Sequence, residues 1–145
     1  MSEPGAVRGE PAAEVWRRLQ ELAVAAMEQA YAPYSGFRVG AALLTSNGTV
    51  VEGCNVENAS YPAGSCAERV AVGAAVARGF REFEALVIAT EADVPTPPCG
   101  VCRQVLMEFA PELLVLSVTR GGAESRWRMS ELLPHAFTPT SLGRR

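Results

Sequence analysis

Residues 84–102 read EALVIATEADVPTPPCGVC, and this stretch decides the fold. Its first part, Ala85-Leu86-Val87-Ile88-Ala89, is an uninterrupted apolar run of strand length, the pattern of a strand covered on both faces. A Pro-rich loop over residues 93–98 follows, and Cys99 stands where that loop enters a helix predicted over 100–109. Residues 113–119, LLVLSVT, read as the next strand, so a buried strand, a helix and a second strand succeed one another. That order belongs to a layered α/β domain.

Working outward, residues 66–78 (CAERVAVGAAVAR) predict a small-residue helix closed by Gly79. Residues 38–45 and 49–56 are two strands joined at Asn47-Gly48, a strong hairpin signal. Before them, Pro11 opens a helix with Val15, Leu19, Leu22, Ala26 and Ala30 on one face. It is expected to end near Tyr31, because Pro33 disfavours helical geometry before it. Beyond 119, Gly121-Gly122 is a turn, 125–129 a more exposed strand, and 130–133 a short helical turn. About five strands result. Residues 1–10 are expected to be disordered, 11–140 to form a single domain, and 141–145 to be a flexible tail.

Composition excludes several chemistries. In 145 residues there are 13 basic groups, all arginine, and a single histidine. A lysine Schiff base and a two-histidine site are therefore impossible. A net charge of −3 and only 7% aromatic residues argue against a nucleic-acid partner. No run approaches the roughly 18 apolar residues of a membrane span, and residues 1–11 (MSEPGAVRGEP) lack the features of a signal peptide. The expectation is a cytoplasmic protein, where four cysteines are metal ligands, catalytic groups or packing rather than disulfides.

Cys99-Gly-Val-Cys102 at a helix start would have its thiolates stabilised by the dipole and free amides. Alone it fits a structural zinc site or a redox dithiol. Cys66 stands at a second helix start, and three thiolates would leave a tetrahedral zinc one open position for water. Glu68, two residues after Cys66, could take a proton from that water; otherwise it is an acidic residue favoured by the first helical turn. Arg69 could donate to the sulfurs and offset their charge, with Gln104 as a further donor. Cys54, in a strand, reads as packing, although a non-enzymatic zinc domain would enlist it as fourth ligand.

These motifs resemble a known family. Cys66-Ala67-Glu68 with Pro98-Cys99-Gly100-Val101-Cys102 is the three-cysteine form of the zinc deaminase signature. With residues 34–42 (YSGFRVGAA), 55–62 (NVENASYP), 103–104 (RQ) and 132–137 (LLPHAF), the chain is similar to the short-chain, homotetrameric cytidine deaminases. The resemblance implies a three-layer α-β-α fold with a mixed five-stranded sheet and one Zn²⁺ per subunit. It implies hydrolytic deamination of cytidine and 2′-deoxycytidine to the uridines and ammonia, as in pyrimidine salvage. Hydroxide activated by zinc would attack C4 while Glu68 shuttles the proton. Cys66, Cys99 and Cys102 would be the ligands.

The resemblance also assigns substrate contacts. Asn55 and Glu57 would bind the ribose hydroxyls, Phe37 would pack on the pyrimidine, and the Ala67 backbone N–H would meet the base carbonyl. Phe137 would enter a neighbouring subunit's site, and Tyr61 would lie at a subunit contact. Pro97 departs from the serine common in the family, but keeps the backbone carbonyl that the family uses. His135 looks incidental. A deaminase of a nucleoside antibiotic such as blasticidin S would share the metal motifs, but the Asn55-Val56-Glu57-Asn58 segment argues against it.

Overall fold

The computed structural model describes residues 9–144. In chain order the elements are α1 (Ala13–Met27), β1 (Val39–Thr45), β2 (Val50–Cys54), α2 (Ala67–Ala77), β3 (Phe83–Thr90), α3 (Gly100–Phe109), β4 (Leu114–Thr119), β5 (Glu124–Arg128) and α4 (Met129–Leu132). Single 3-10 turns at Tyr61–Ala63 and Pro139–Leu142 complete them. Most of the expected disordered segment, residues 1–8, lies outside the described residues, as does Arg145 of the expected tail. Within them, Glu10 pairs with Arg126.

The strands form one mixed sheet in the order β2-β1-β3-β4-β5. β1 is antiparallel to both β2 and β3, β3 runs parallel to β4, and β4 is antiparallel to β5. Two cores flank this sheet, making three layers. On one face Trp16, Leu19, Ala23 and Met27 of α1 pack on Ala42, Leu44, Val87, Ala89 and Leu116. On the other, Ala71 and Val72 of α2 and Leu106 of α3 pack on Leu43, Leu86, Ile88 and Val115. β3 contributes to both cores, which is why its sequence is apolar without alternation.

Two glycines let helices approach the sheet. A Cβ on Gly40 would collide with the Ala23 carbonyl and Met27 of α1; one on Gly53 would fall 2.5 Å from the Ala67 carbonyl oxygen and 2.6 Å from the Ala71 nitrogen. The α2 backbone therefore rests directly on β2 at the turn that carries Glu68.

α1 ends earlier than the position of Pro33 predicts. Its C-cap is Glu28, and Tyr31 bonds instead to the edge beyond β2: its N–H donates to the Asn55 carbonyl and its own carbonyl accepts from Glu57. A tertiary bridge, not the proline, stops the helix.

Candidate metal centre and adjoining cavity

Register brings the site together. β2 and β3 are both antiparallel to β1, and Gly40 of β1 pairs with Cys54 on one side and Ala89 on the other. The loops that leave β2 and β3 therefore emerge from the same edge of the sheet. The first leads to Cys66 and the second to Cys99, and both cysteines are N-caps, of α2 and α3 respectively. Neither side chain is spent on capping its helix. Two helix N-termini thus converge, with Cys102 in the first turn of α3.

The ligand atoms of Cys66, Cys99 and Cys102 lie within 4.8 Å of one another, and Cys66 Sγ is 3.9 Å from Cys99 Sγ. Zinc–sulfur bonds of about 2.3 Å in a tetrahedron require sulfurs about 3.8 Å apart, so the trio fits this ion. Cys102 is buried, Cys66 half-buried and Cys99 exposed. Cys54, half-buried at the end of β2, is outside the trio.

The cluster is prepared for a cation. A hydrogen bond from Cys102 and others from Arg69 and Cys99 pull the Cys66 thiol down to about 5. Cys102 is pushed upward by its bond to Cys66 and by burial, so the pair holds on to one proton that a metal would displace. Arg69 Nη2 lies 3.9 Å from Cys66 Sγ and 3.3 Å from the Gly64 carbonyl oxygen, which it donates to. Its Nε is buried without a partner. This guanidinium offsets thiolate charge.

Glu68 is the one buried carboxylate among the described residues, 5% exposed. Burial first, and then the Cys66 charge, push its carboxyl above the usual carboxylate range. A carboxyl held this way takes up a proton more readily than a solvated one. Ala67, fully buried, opens α2, so its N–H has no intrahelical acceptor.

The residues around the neighbouring cavity are held by a hydrogen-bond relay. Glu57 Oε1 accepts from the backbone N–H groups of Tyr34 (2.9 Å) and Ser35 (3.0 Å), and Oε2 accepts from the Ser35 hydroxyl. Led by that hydroxyl, these bonds hold the Glu57 carboxyl below its ordinary value. Phe37 N–H donates to Ser35 Oγ at 3.0 Å. Asn55 Nδ2 donates to the Phe37 carbonyl at 2.8 Å, and Asn55 Oδ1 accepts from Val39 N–H at 2.8 Å. Tyr34, Ser35, Glu57, Asn58, Tyr61 and Gly64 line a cavity of about 380 Å³. The Tyr34 and Tyr61 rings meet edge to face, 6.1 Å apart.

Sequence reasoning missed Tyr34 and Ser35; a carboxylate-binding turn four residues before β1 was the available signal. Gln104 does not reach the sulfurs. It lies about 200° around α3 from Cys102, is exposed, and donates to the Phe137 carbonyl at 2.7 Å. Phe137 and Tyr61 are 59% and 77% exposed, and Phe37 36%.

A mixed α/β sheet that delivers three thiolates and a buried carboxyl from two helix starts defines a zinc-dependent hydrolase of the deaminase type. Residues 14–118 match the family described as the cytidine and deoxycytidylate deaminase zinc-binding region, and the chain belongs to that family. A cytidine deaminase from Sporosarcina psychrophila is 45% identical over 119 residues, 81% of this chain and 87% of the relative. The crystal structure of cytidine deaminase from Burkholderia pseudomallei aligns with a TM-score of 0.81 at 49% identity, covering 83% of this chain and 98% of that one. A blasticidin-S deaminase from Bacillus cereus is more distant, 31% identical over 69% of this chain and 76% of its own.

Proposed function

We propose that this protein hydrolyses cytidine and 2′-deoxycytidine to uridine and 2′-deoxyuridine with release of ammonia. The observation that carries the reading is the buried Glu68 carboxyl beside the Cys66–Cys99–Cys102 trio. Cys66, Cys99 and Cys102 would hold Zn²⁺, which lowers the pKa of a water towards neutrality and so supplies the nucleophile.

Glu68 carries the proton. It takes one from the attacking water, gives it to N3 of the base, and then delivers one to the amino group leaving C4; water and cytidine become uridine and ammonia. Its raised proton affinity suits both halves of that transfer. The Ala67 N–H meets the base carbonyl, and Phe37 packs on the ring. Glu57, kept ionised by Ser35 and Tyr34, accepts from the sugar hydroxyls, and Asn55 adds its remaining donor and acceptor capacity. The cavity volume lies within the range of small-molecule sites.

The exposed Phe137 and Tyr61 support assembly with further copies of the chain, Phe137 closing a neighbour's site and Tyr61 lying at the contact, in a homotetramer. Among the described residues no helix is long and apolar enough to cross a membrane. A reducing cytoplasm suits a site built of thiolates.

Ammonia release from cytidine, 2′-deoxycytidine and blasticidin S tests the reading. Release from both nucleosides and not from the antibiotic supports it; release from blasticidin S alone favours the antibiotic deaminase.

A further inference from the structure

The segment from Asp93 to Pro98 delivers Cys99 to the metal centre, and only its last residue, Pro98, is buried. Pro95, Pro97 and Pro98 supply no backbone N–H. Among the described residues, no backbone–backbone hydrogen bond joins this segment to the rest of the protein. Thr96 Oγ1 bonds only within it, to the Val94 carbonyl. One side chain reaches it from outside: Arg103 Nε donates to the Pro98 carbonyl at 2.7 Å. The same guanidinium donates through Nη1 to the Leu132 carbonyl at 2.9 Å, at the end of α4. Its neighbour Gln104 then holds the Phe137 carbonyl at 2.7 Å.

We infer that Arg103 is a positioning residue that fixes the Cys99 ligand by clamping the Pro98 carbonyl, and that it couples this loop to the chain segment from Leu132 to Phe137. Cys99 is the exposed member of the trio, so packing does little to hold its sulfur. The backbone on its N-terminal side is set at Pro98, which is buried, and Arg103 supplies the hydrogen bond that fixes its carbonyl. A fork with several fixed donors can hold two carbonyls at once, which an ammonium cannot do in the same geometry. The inference rests on zinc binding at the trio.

The test compares zinc-loaded wild type with Arg103→Met, which keeps the apolar stem and removes the donors, and with Arg103→Lys. Zinc release to a chelator and the thiolate absorption of the cobalt(II)-substituted protein are read alongside thermal unfolding of the metal-free chains. Arg103→Met is expected to release zinc about tenfold faster and to shift the cobalt bands, with Arg103→Lys intermediate. Should Arg103→Met fail to fold, Arg103→Lys is read in the same way. Release rates and cobalt spectra equal to wild type in the folded variants overturn the inference while leaving the zinc assignment intact. Wild-type protein that takes up no zinc overturns both.

Discussion

Cys66 Sγ and Cys99 Sγ lie 3.9 Å apart across 33 residues of sequence, each at the N-cap of its own helix. That separation matches the sulfur spacing of a tetrahedral zinc site. The metal content should therefore follow protonation. Zinc uptake displaces the proton shared by Cys66 and Cys102, and Cys66 titrates near 5. Above that value one proton is still displaced; as pH falls through it, Cys66 takes up a further proton and affinity drops more steeply. Zinc measured by atomic absorption after dialysis should be retained at neutral pH and lost as pH approaches 5, and Cys99→Ala should hold little at any pH.

Glu68→Gln should separate chemistry from structure. The amide has nearly the same shape, and the buried site loses a group that resists ionisation. Zinc content and Tm are expected to stay at wild-type values or above, while kcat falls by a factor of about 10² to 10⁴ or more.

Asn55→Ala leaves Val39 N–H and the Phe37 carbonyl without their partners. Unsatisfied groups of this kind cost about 1–3 kcal/mol. Urea denaturation should show that loss, and KM for cytidine should rise because Phe37 keeps only its bond to Ser35.

Gly53→Ala places a methyl against the Ala67 carbonyl and the Ala71 nitrogen. α2 must shift away from β2, at a cost of about 1–3 kcal/mol. Since the first turn of α2 carries Glu68 and follows Cys66, zinc content and kcat should fall along with Tm. A Gly73→Ala variant, with open space inside α2, should leave zinc content and kcat unchanged and raise Tm slightly.

Glu91 ties three elements by pairing with Arg38, with Nε–Oε1 at 2.8 Å, and with Arg120 at 3.1 Å. Arg38 holds the Glu91 carboxyl below its ordinary value. A carboxylate lowered on folding adds stability above its unfolded pKa, and that stability is lost as pH falls through the folded one. Glu91→Gln should thus flatten the acid side of a Tm-against-pH curve, and added salt should shrink the difference.

Much of this was legible because local chemistry and tertiary need coincide. The apolar run 85–89 reads as a doubly covered strand, and the cysteines at 66, 99 and 102 stand where loops enter helices. What was hidden depends on distant partners. Nothing near Tyr31 in sequence announces its bridge to Asn55 and Glu57, so the sequence predicts too late an end for α1. Ser35 and Arg103 are ordinary polar residues until the carboxylate of Glu57 and the carbonyls of Pro98 and Leu132 appear beside them. Gln104 could have been excluded from the sulfurs by helical angle alone.

The central claim, a nucleoside deaminase driven by Glu68 beside a three-thiolate zinc site, is tested most directly by following the ultraviolet absorbance of cytidine. Zinc-loaded wild-type protein should convert it to the uridine spectrum with one ammonia released per nucleoside, and equally zinc-loaded Glu68→Gln should leave it unchanged. An unchanged spectrum with wild type, or conversion by Glu68→Gln at the wild-type rate, would contradict it.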